Sequence, residues 1–174
     1  LLAMNPGTIE KEIDGIQTTE PTFGLPAVWI TTSDKQKAQM AGYTVVDPST
    51  VITTHIKETI KRHASELLGR QETQALVDKF KESNPKVIEE LIPDVLSLGK
   101  VQKVLQNLLK EHISIRDLRT ILEQLADYGL TTKDTDLLTE YVRQSLARPI
   151  TKQFQSADGS LSVMTLNREV EELI

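Results

Sequence analysis

Three histidines and no cysteine bound the chemistry open to this 174-residue sequence. His55 and His63 stand eight residues apart in a helical stretch, about 12 Å along its axis at 1.5 Å per residue. That separation is too long for one metal ion, and His112 is remote from both. The neighbouring carboxylates Glu89-Glu90 and Glu171-Glu172 point to different helix faces, which does not suit paired acid and base work. Serine and threonine are plentiful, yet no Gly-x-Ser-x-Gly elbow and no glycine-rich phosphate loop occurs. Asn5-Pro6-Gly7 and Ala157-Asp158-Gly159 read as turns. The absence of cysteine excludes disulfides, thiolate catalysis and Cys-ligated zinc. No catalytic residue, cofactor or metal is expected, and an enzyme would have to build its site wholly from long-range contacts.

The informative residues are apolar ones in a loop. Residues 20–26, Glu20-Pro21-Thr22-Phe23-Gly24-Leu25-Pro26, carry large apolar side chains where a connector would be polar. Phe23 and Leu25 could plug the local core or form a docking surface. Pro21, Gly24 and Pro26 restrict and shape the backbone, which holds Phe23 in a defined place and lowers the ordering cost of binding. A stiff aromatic anchor is what an interface hot spot uses. Composition narrows the partner: net charge is −5, with Lys and Arg interleaved among Asp and Glu, so no nucleic-acid footprint is visible. No 18-residue apolar run could span a bilayer, so the chain as given is expected to be soluble. Leu1-Leu2-Ala3-Met4 is too short for the hydrophobic segment of a signal peptide and supplies no plausible initiator methionine, so the chain is read as a fragment.

The elements that position the loop divide near Leu68. Before it, strand and helix signals mix; after it, helix follows helix. Residues 2–4 read as a strand, 8–19 as polar and poorly patterned, 27–31 as a strand and 43–46 as another. Between the last two, Ser33-Asp34-Lys35-Gln36 fits a capping box and Gly42 suits the end of a short helix. Strand, helix, strand is compatible with a crossover unit or with part of an α+β layer. Asp47-Pro48 starts a helix expected to run over residues 48–68. Its Ile52, Ile56, Ile60, Ala64 and Leu67 form one stripe predicted to be buried. Lys57, Lys61 and Arg62 lie opposite, with Glu58 and Arg62 an ion pair worth about 0.3 kcal/mol.

In the helical half, Val101, Val104, Leu105, Leu108 and Leu109 share their offsets with Leu118, Ile121, Leu122, Leu125 and Ala126, and the two faces are expected to pack on each other. Ser114-Ile115-Arg116-Asp117 matches a capping box and Gly129 suits a helix end. The next helix starts at Thr131-Thr132-Lys133-Asp134, buries Leu137, Leu138, Tyr141, Val142 and Leu146, and ends at Arg148-Pro149. Earlier helices cover residues 70–82, through Leu76, Val77 and Phe80, and 87–91. Residues 150–154 and 161–165 read as a hairpin around Ala157-Asp158-Gly159-Ser160, followed by a helix to Ile174. The fold class is α+β and mostly helical: a small α/β subdomain (1–47), a long helix (48–68), a helical subdomain (69–148) and the start of a third, α/β subdomain (149–174).

Leu2-Ala3-Met4-Asn5-Pro6-Gly7, Pro21-Thr22-Phe23-Gly24-Leu25-Pro26-Ala27-Val28-Trp29-Ile30, Tyr43-Thr44-Val45-Val46-Asp47-Pro48-Ser49-Thr50-Val51-Ile52-Thr53-Thr54-His55 and Leu68-Gly69-Arg70-Gln71-Glu72 carry a resemblance, together with Val104-Leu105-Gln106-Asn107-Leu108-Leu109 and Ile115-Arg116-Asp117-Leu118-Arg119-Thr120-Ile121-Leu122-Glu123. In this order, and over nearly the whole chain, they resemble the cytoplasmic half of the flagellar members of the type III secretion export-gate family. The resemblance implies a piece of a four-part cytoplasmic domain hung below transmembrane helices at the cytoplasmic face of the bacterial inner membrane. Residues 48–68 would belong to a discontinuous first subdomain, whose upstream strands cover Ile52, Ile56 and Ile60; without them the stripe would be exposed or paired with another chain. It also implies a docking platform without catalytic activity. Its partners would be flagellar export chaperones with their substrates, components of the export ATPase complex and further copies in a nine-membered ring, with no nucleic acid and with membrane contact only through transmembrane helices outside this chain. The family's chaperone site falls on Glu20, Phe23 and Thr54, with Pro21, Gly24 and Leu25 around them. Glu20 stands where relatives often have Asp. Two rival readings are a hydrolase or metal-dependent enzyme using His55 with nearby Asp or Thr residues, and a structural scaffold that self-associates through its helical half.

Overall fold

Leu2, Ala3 and Met4 alternate their side chains between two faces, and both faces acquire a helix. The computed structural model describes residues 1–168, in two units, Leu1–Ala64 and one that begins at Ser65. In the first, β1 (Leu2–Met4), β2 (Ile16–Thr19), β3 (Pro26–Trp29) and β4 (Thr44–Val46) form a sheet in the order β2-β3-β1-β4 with every neighbour antiparallel. Ala3 stands opposite Val28 on one side and Val45 on the other. β3 and β4 therefore run parallel with β1 inserted between them, so the strand, helix, strand succession is a crossover split by a third strand.

One face, with Ala3 and Val28, packs on Ala38 and Ala41 from the segment around α1 (Lys35–Met40), together with Ile13, Ile30 and Tyr43. The other, with Leu2 and Ala27, packs on Val51 of α2 (Pro48–Arg62). β2 lay in the stretch read as unpatterned, because Ile-Gln-Thr-Thr has no buried alternation: Ile16 is 73 % exposed. It forms by pairing along β3, and Gly15 admits it, since a Cβ there would lie 2.4 Å from the Trp29 carbonyl oxygen. The entry to α1 also differs from the expected capping box. Residues 32–34 make a 3₁₀ turn, and the Thr31 hydroxyl holds it by bonding Ser33 and Asp34.

Asp47 starts α2 as expected, accepting from the Thr50 amide at 2.9 Å and from the Ser49 and Thr50 hydroxyls. The helix is shorter than expected: it stops at Arg62 and resumes as α3 (Ala64–Leu67). The stripe Ile52, Ile56, Ile60 and Leu67 is exposed, each residue by more than half of its surface. The less exposed row is Val51, Thr54 and Glu58, with Val51 buried against the sheet and the other two half-buried. Glu58 pairs with Lys61 at 2.8 Å where Arg62 was expected.

In the second unit, α4 (Arg70–Ser83), α5 (Pro85–Glu90), α6 (Leu98–Lys110), α7 (Leu118–Gly129), α8 (Thr135–Ser145) and α9 (Ala147–Phe154) surround one core of Val101, Val104, Leu105, Leu108, Ile121, Leu122, Leu125, Leu138 and Val142. The stripes of α6 and α7 are buried as read, but α8 packs along both, so the two meet chiefly through it. Leu138 and Val142 of α8 and Leu146 just after it are buried, whereas Leu137 is 43 % exposed and Tyr141 stacks on Tyr128 with ring centres 4.3 Å apart. The cap of α7 is Asp117, accepting from the Thr120 amide, in place of Ser114.

Arg148-Pro149 does not end a helix. α8 stops at Ser145, and Pro149 lies in the first turn of α9, where its missing amide proton costs nothing. The expected hairpin is absent: residues 150–154 are helical, with Ile150 packed against the core, and 161–167 have no regular structure. A lone two-stranded hairpin is marginal in water, and the core claims Ile150 first. Only its turn forms, with the Ser160 amide and hydroxyl donating to Asp158. The helix expected after residue 165 and up to Ile174 falls mostly on residues 169–174, which lie outside the described residues. Among the described residues no helix is long and apolar enough to cross a membrane.

Candidate functional site

The loop between β2 and β3 is organised by one carboxylate. Glu20 is 3 % exposed, and its Oε1 and Oε2 accept from the amides of Thr22 at 2.9 Å and Phe23 at 2.7 Å. Its own amide donates to the Leu25 carbonyl at 2.8 Å and its carbonyl accepts from Gly24 at 3.0 Å. Gly24 closes the turn at φ +71, a conformation L side chains rarely adopt. Buried polar groups need partners, and here the carboxylate finds them in its own loop.

Burial pushes the Glu20 carboxyl up. The Phe23 amide, the Thr22 hydroxyl and amide and the charge of His55 outweigh it and leave the group below its ordinary 4.5. No hydrogen bond of good geometry reaches the buried Thr22 hydroxyl oxygen, so the two backbone amides are the firm partners that hold the carboxyl low. A lowered carboxyl favours the folded loop above the ordinary value and loses that contribution as the pH falls through the lower folded value. Following the Glu20 carboxyl carbon by NMR during acid titration should give a midpoint below 4.5, with the Thr22 and Phe23 amide signals moving in step. A midpoint at or above 4.5 would contradict the geometry.

This anchoring turns Phe23 outward. Phe23 is 67 % exposed and Leu25 36 %, with Pro21 and Gly24 exposed beside them. The loop leaves the sheet where Thr19 pairs with Pro26 and the Asn5 amide donates to the Pro26 carbonyl, next to Met4. α2 begins at the opposite end of the sheet, after Val46, and meets the sheet through Val51. Thr54 precedes His55 and lies half-buried one turn beyond Val51. Glu20 and Phe23 share the loop at one end of the sheet, and Thr54 lies on α2. Their settings differ: Phe23 presents surface, Thr54 is half-buried on the helix, and Glu20 is enclosed within the loop.

The resemblance names Glu20 as a site residue but does not reveal that it holds the loop from within, or that Thr22 takes part. The available signal was an acidic side chain two and three residues before the amides it holds, the spacing of an Asx-type turn or helix cap. With Glu in place of Asp, the longer side chain must curl back, which spacing alone does not reveal.

The histidines take other roles. His55 is exposed on α2. His112 adopts φ +58 after α6, where Ile113 donates to the Leu108 carbonyl and His112 to that of Leu109, so it supplies the left-handed residue that closes the helix. Among the described residues no group of three or more His, Cys, Asp or Glu side chains could hold a metal ion.

The FHIPEP family model matches residues 1–174. The chain is 56 % identical over 173 residues to the flagellar biosynthesis protein FlhA of Bacillus subtilis (strain 168) and 46 % identical over 173 residues to that of Escherichia coli (strain K12). In both comparisons 99 % of the chain is covered, but only 26 % and 25 % of the relative, so the chain spans about a quarter of their length. Among solved structures, it is similar to the Chlamydia pneumoniae CdsV protein, with a TM-score of 0.78 and 32 % identity, over 99 % of this chain and 50 % of that one. A second similarity is to the complex of Chlamydia pneumoniae CdsV and CdsO, with a TM-score of 0.73 and 35 % identity, over 84 % and 43 %. A third is to the nonameric EPEC SctV-C, with a TM-score of 0.64 and 26 % identity, over 99 % and 60 %.

Proposed function

Because this chain belongs to the FHIPEP family, we propose that it is part of the cytoplasmic docking platform of a flagellar type III export gate, and that it receives export chaperones carrying their substrates. The observation that carries this reading is the outward Phe23 on a loop whose backbone is fixed from within by Glu20. A hot-spot aromatic must be held in place before the partner arrives, or its ordering cost is subtracted from affinity. Phe23 supplies desolvated apolar contact, Leu25 extends it, and Thr54 offers a hydroxyl at the border. Glu20 positions the loop.

Relatives named as flagellar biosynthesis proteins support the export setting. A nonameric neighbour supports a ring in the whole protein, and a neighbour solved in complex with CdsO supports contact with a further protein; in this reading such partners include components of the export ATPase complex. In this reading the platform lies at the cytoplasmic face of the bacterial inner membrane, tethered by transmembrane helices outside this chain, and it performs no catalysis. The test is a calorimetric titration of a flagellar export chaperone, loaded with its late substrate, into the 174-residue chain. Saturable binding of the loaded chaperone that weakens when the substrate is removed is expected. Absence of binding by both forms would contradict the reading.

A further inference from the structure

The helical unit carries a second surface, remote in sequence from the docking loop. Between the last turns of α4 and the start of α7 lies a groove of about 330 Å³. Its floor is Leu76 and Phe80, four residues apart on α4, with Leu118 from α7. All three are half-buried and packed on the core of the unit, so the floor is apolar and firmly rooted. Its rim is cationic: Lys79, Arg116 and Arg119 are exposed around it.

The rim carries three cations against one carboxylate of the lining, with Glu123 beside Arg119. Asp117 is the one carboxylate among the lining residues, and both its oxygens are engaged by Thr120, from the amide at 3.2 Å and the hydroxyl at 2.8 Å. Arg119 bridges the two walls, donating to Asn84 Oδ1 at 2.6 Å, and its Nε stands 3.9 Å from Glu123. Among the described residues, neither the Lys79 nor the Arg116 side chain enters a hydrogen bond or an ion pair. Three cations around an apolar floor, in a chain of net charge −5, attract a segment that is both acidic and apolar. A phosphate backbone would use the rim but gain nothing from the floor. A neutral apolar segment would fill the floor while forgoing the favourable field of the rim.

We propose that this groove docks an acidic amphipathic segment of a partner protein, with a large apolar side chain seated on Leu76, Phe80 and Leu118 and carboxylates facing Lys79, Arg116 and Arg119. The test selects displayed random 15-residue peptides on the 174-residue chain. The enriched peptides are then measured by fluorescence polarisation against the chain and against Lys79→Glu/Arg116→Glu, which alters two exposed side chains and should keep the helical circular dichroism. The expected peptides combine Asp or Glu with at least one large apolar residue. They should bind the double variant at least tenfold more weakly, and recover when their acidic residues are replaced by Lys. Enriched peptides without acidic residues, or with equal affinity for the variant, would overturn the proposal. So would displacement of the peptides by inorganic phosphate alone, which would mark a phosphate site, or self-association of the chain abolished by the double variant, which would mark a contact between copies.

Discussion

Phe23→Ala should weaken binding of a substrate-loaded export chaperone by about 30-fold or more, corresponding to at least about 2 kcal/mol, the range of an interface hot spot. The size follows from the arrangement. Phe23 is 67 % exposed, so the folded chain gains little from it, and its removal leaves the Glu20 network intact because that network uses the Phe23 backbone amide. Unfolding midpoints of the variant and the parent should therefore agree while their affinities differ. Glu20→Ala should behave differently. It removes the acceptor for two amides in a buried setting, so it should loosen the loop and lower affinity while Phe23 is still present. Isothermal calorimetry paired with thermal unfolding separates the two variants. Equal affinity of Phe23→Ala and the parent would remove the docking role from this loop.

A second large effect is expected in the helical unit. Leu122 is fully buried among the residues that α6, α7 and α8 contribute to one core. Leu122→Ala should cost about 2 to 5 kcal/mol, by lost transfer energy and by the cavity left behind. Trp29, the single tryptophan, sits in the first unit, against the core of Leu2, Ala27 and Val51. Urea unfolding followed by circular dichroism at 222 nm should thus shift strongly, while the fluorescence of Trp29 reports on a core that shares no residue with the altered one. A shift of less than about 1 kcal/mol in the helical signal would contradict the packing described.

Most of the helices were legible because their cues are local. Asp47-Pro48 caps α2, and the 3, 4, 7, 8 offsets of α6 and α7 mark their buried faces. What escaped depended on partners distant in sequence. β2 has no apolar alternation of its own and exists because β3 offers an edge. Residues 150–154 have the composition of a strand, but the core accepts Ile150 in a helix. Periodicity marks Ile52, Ile56 and Ile60 as one row, but the burial expected from it is overturned, each being more than half exposed. In this chain the sheet meets the neighbouring row through Val51, and the isoleucines face outward. At the candidate site, the apolar loop and its exposed aromatic were readable from Pro, Gly and Phe. The inward turn of Glu20 was not, because its partners are backbone amides and any residue except proline carries one.

The most direct measurement is site-specific photo-crosslinking. A benzophenone amino acid placed at position 23 of the whole export-gate protein, in cells assembling flagella, should crosslink to an export chaperone or its substrate upon irradiation. The same probe at Met40, an exposed apolar position beyond the packed face of α1, should not. Crosslinks to chaperone from position 40 but not from 23 would contradict the account.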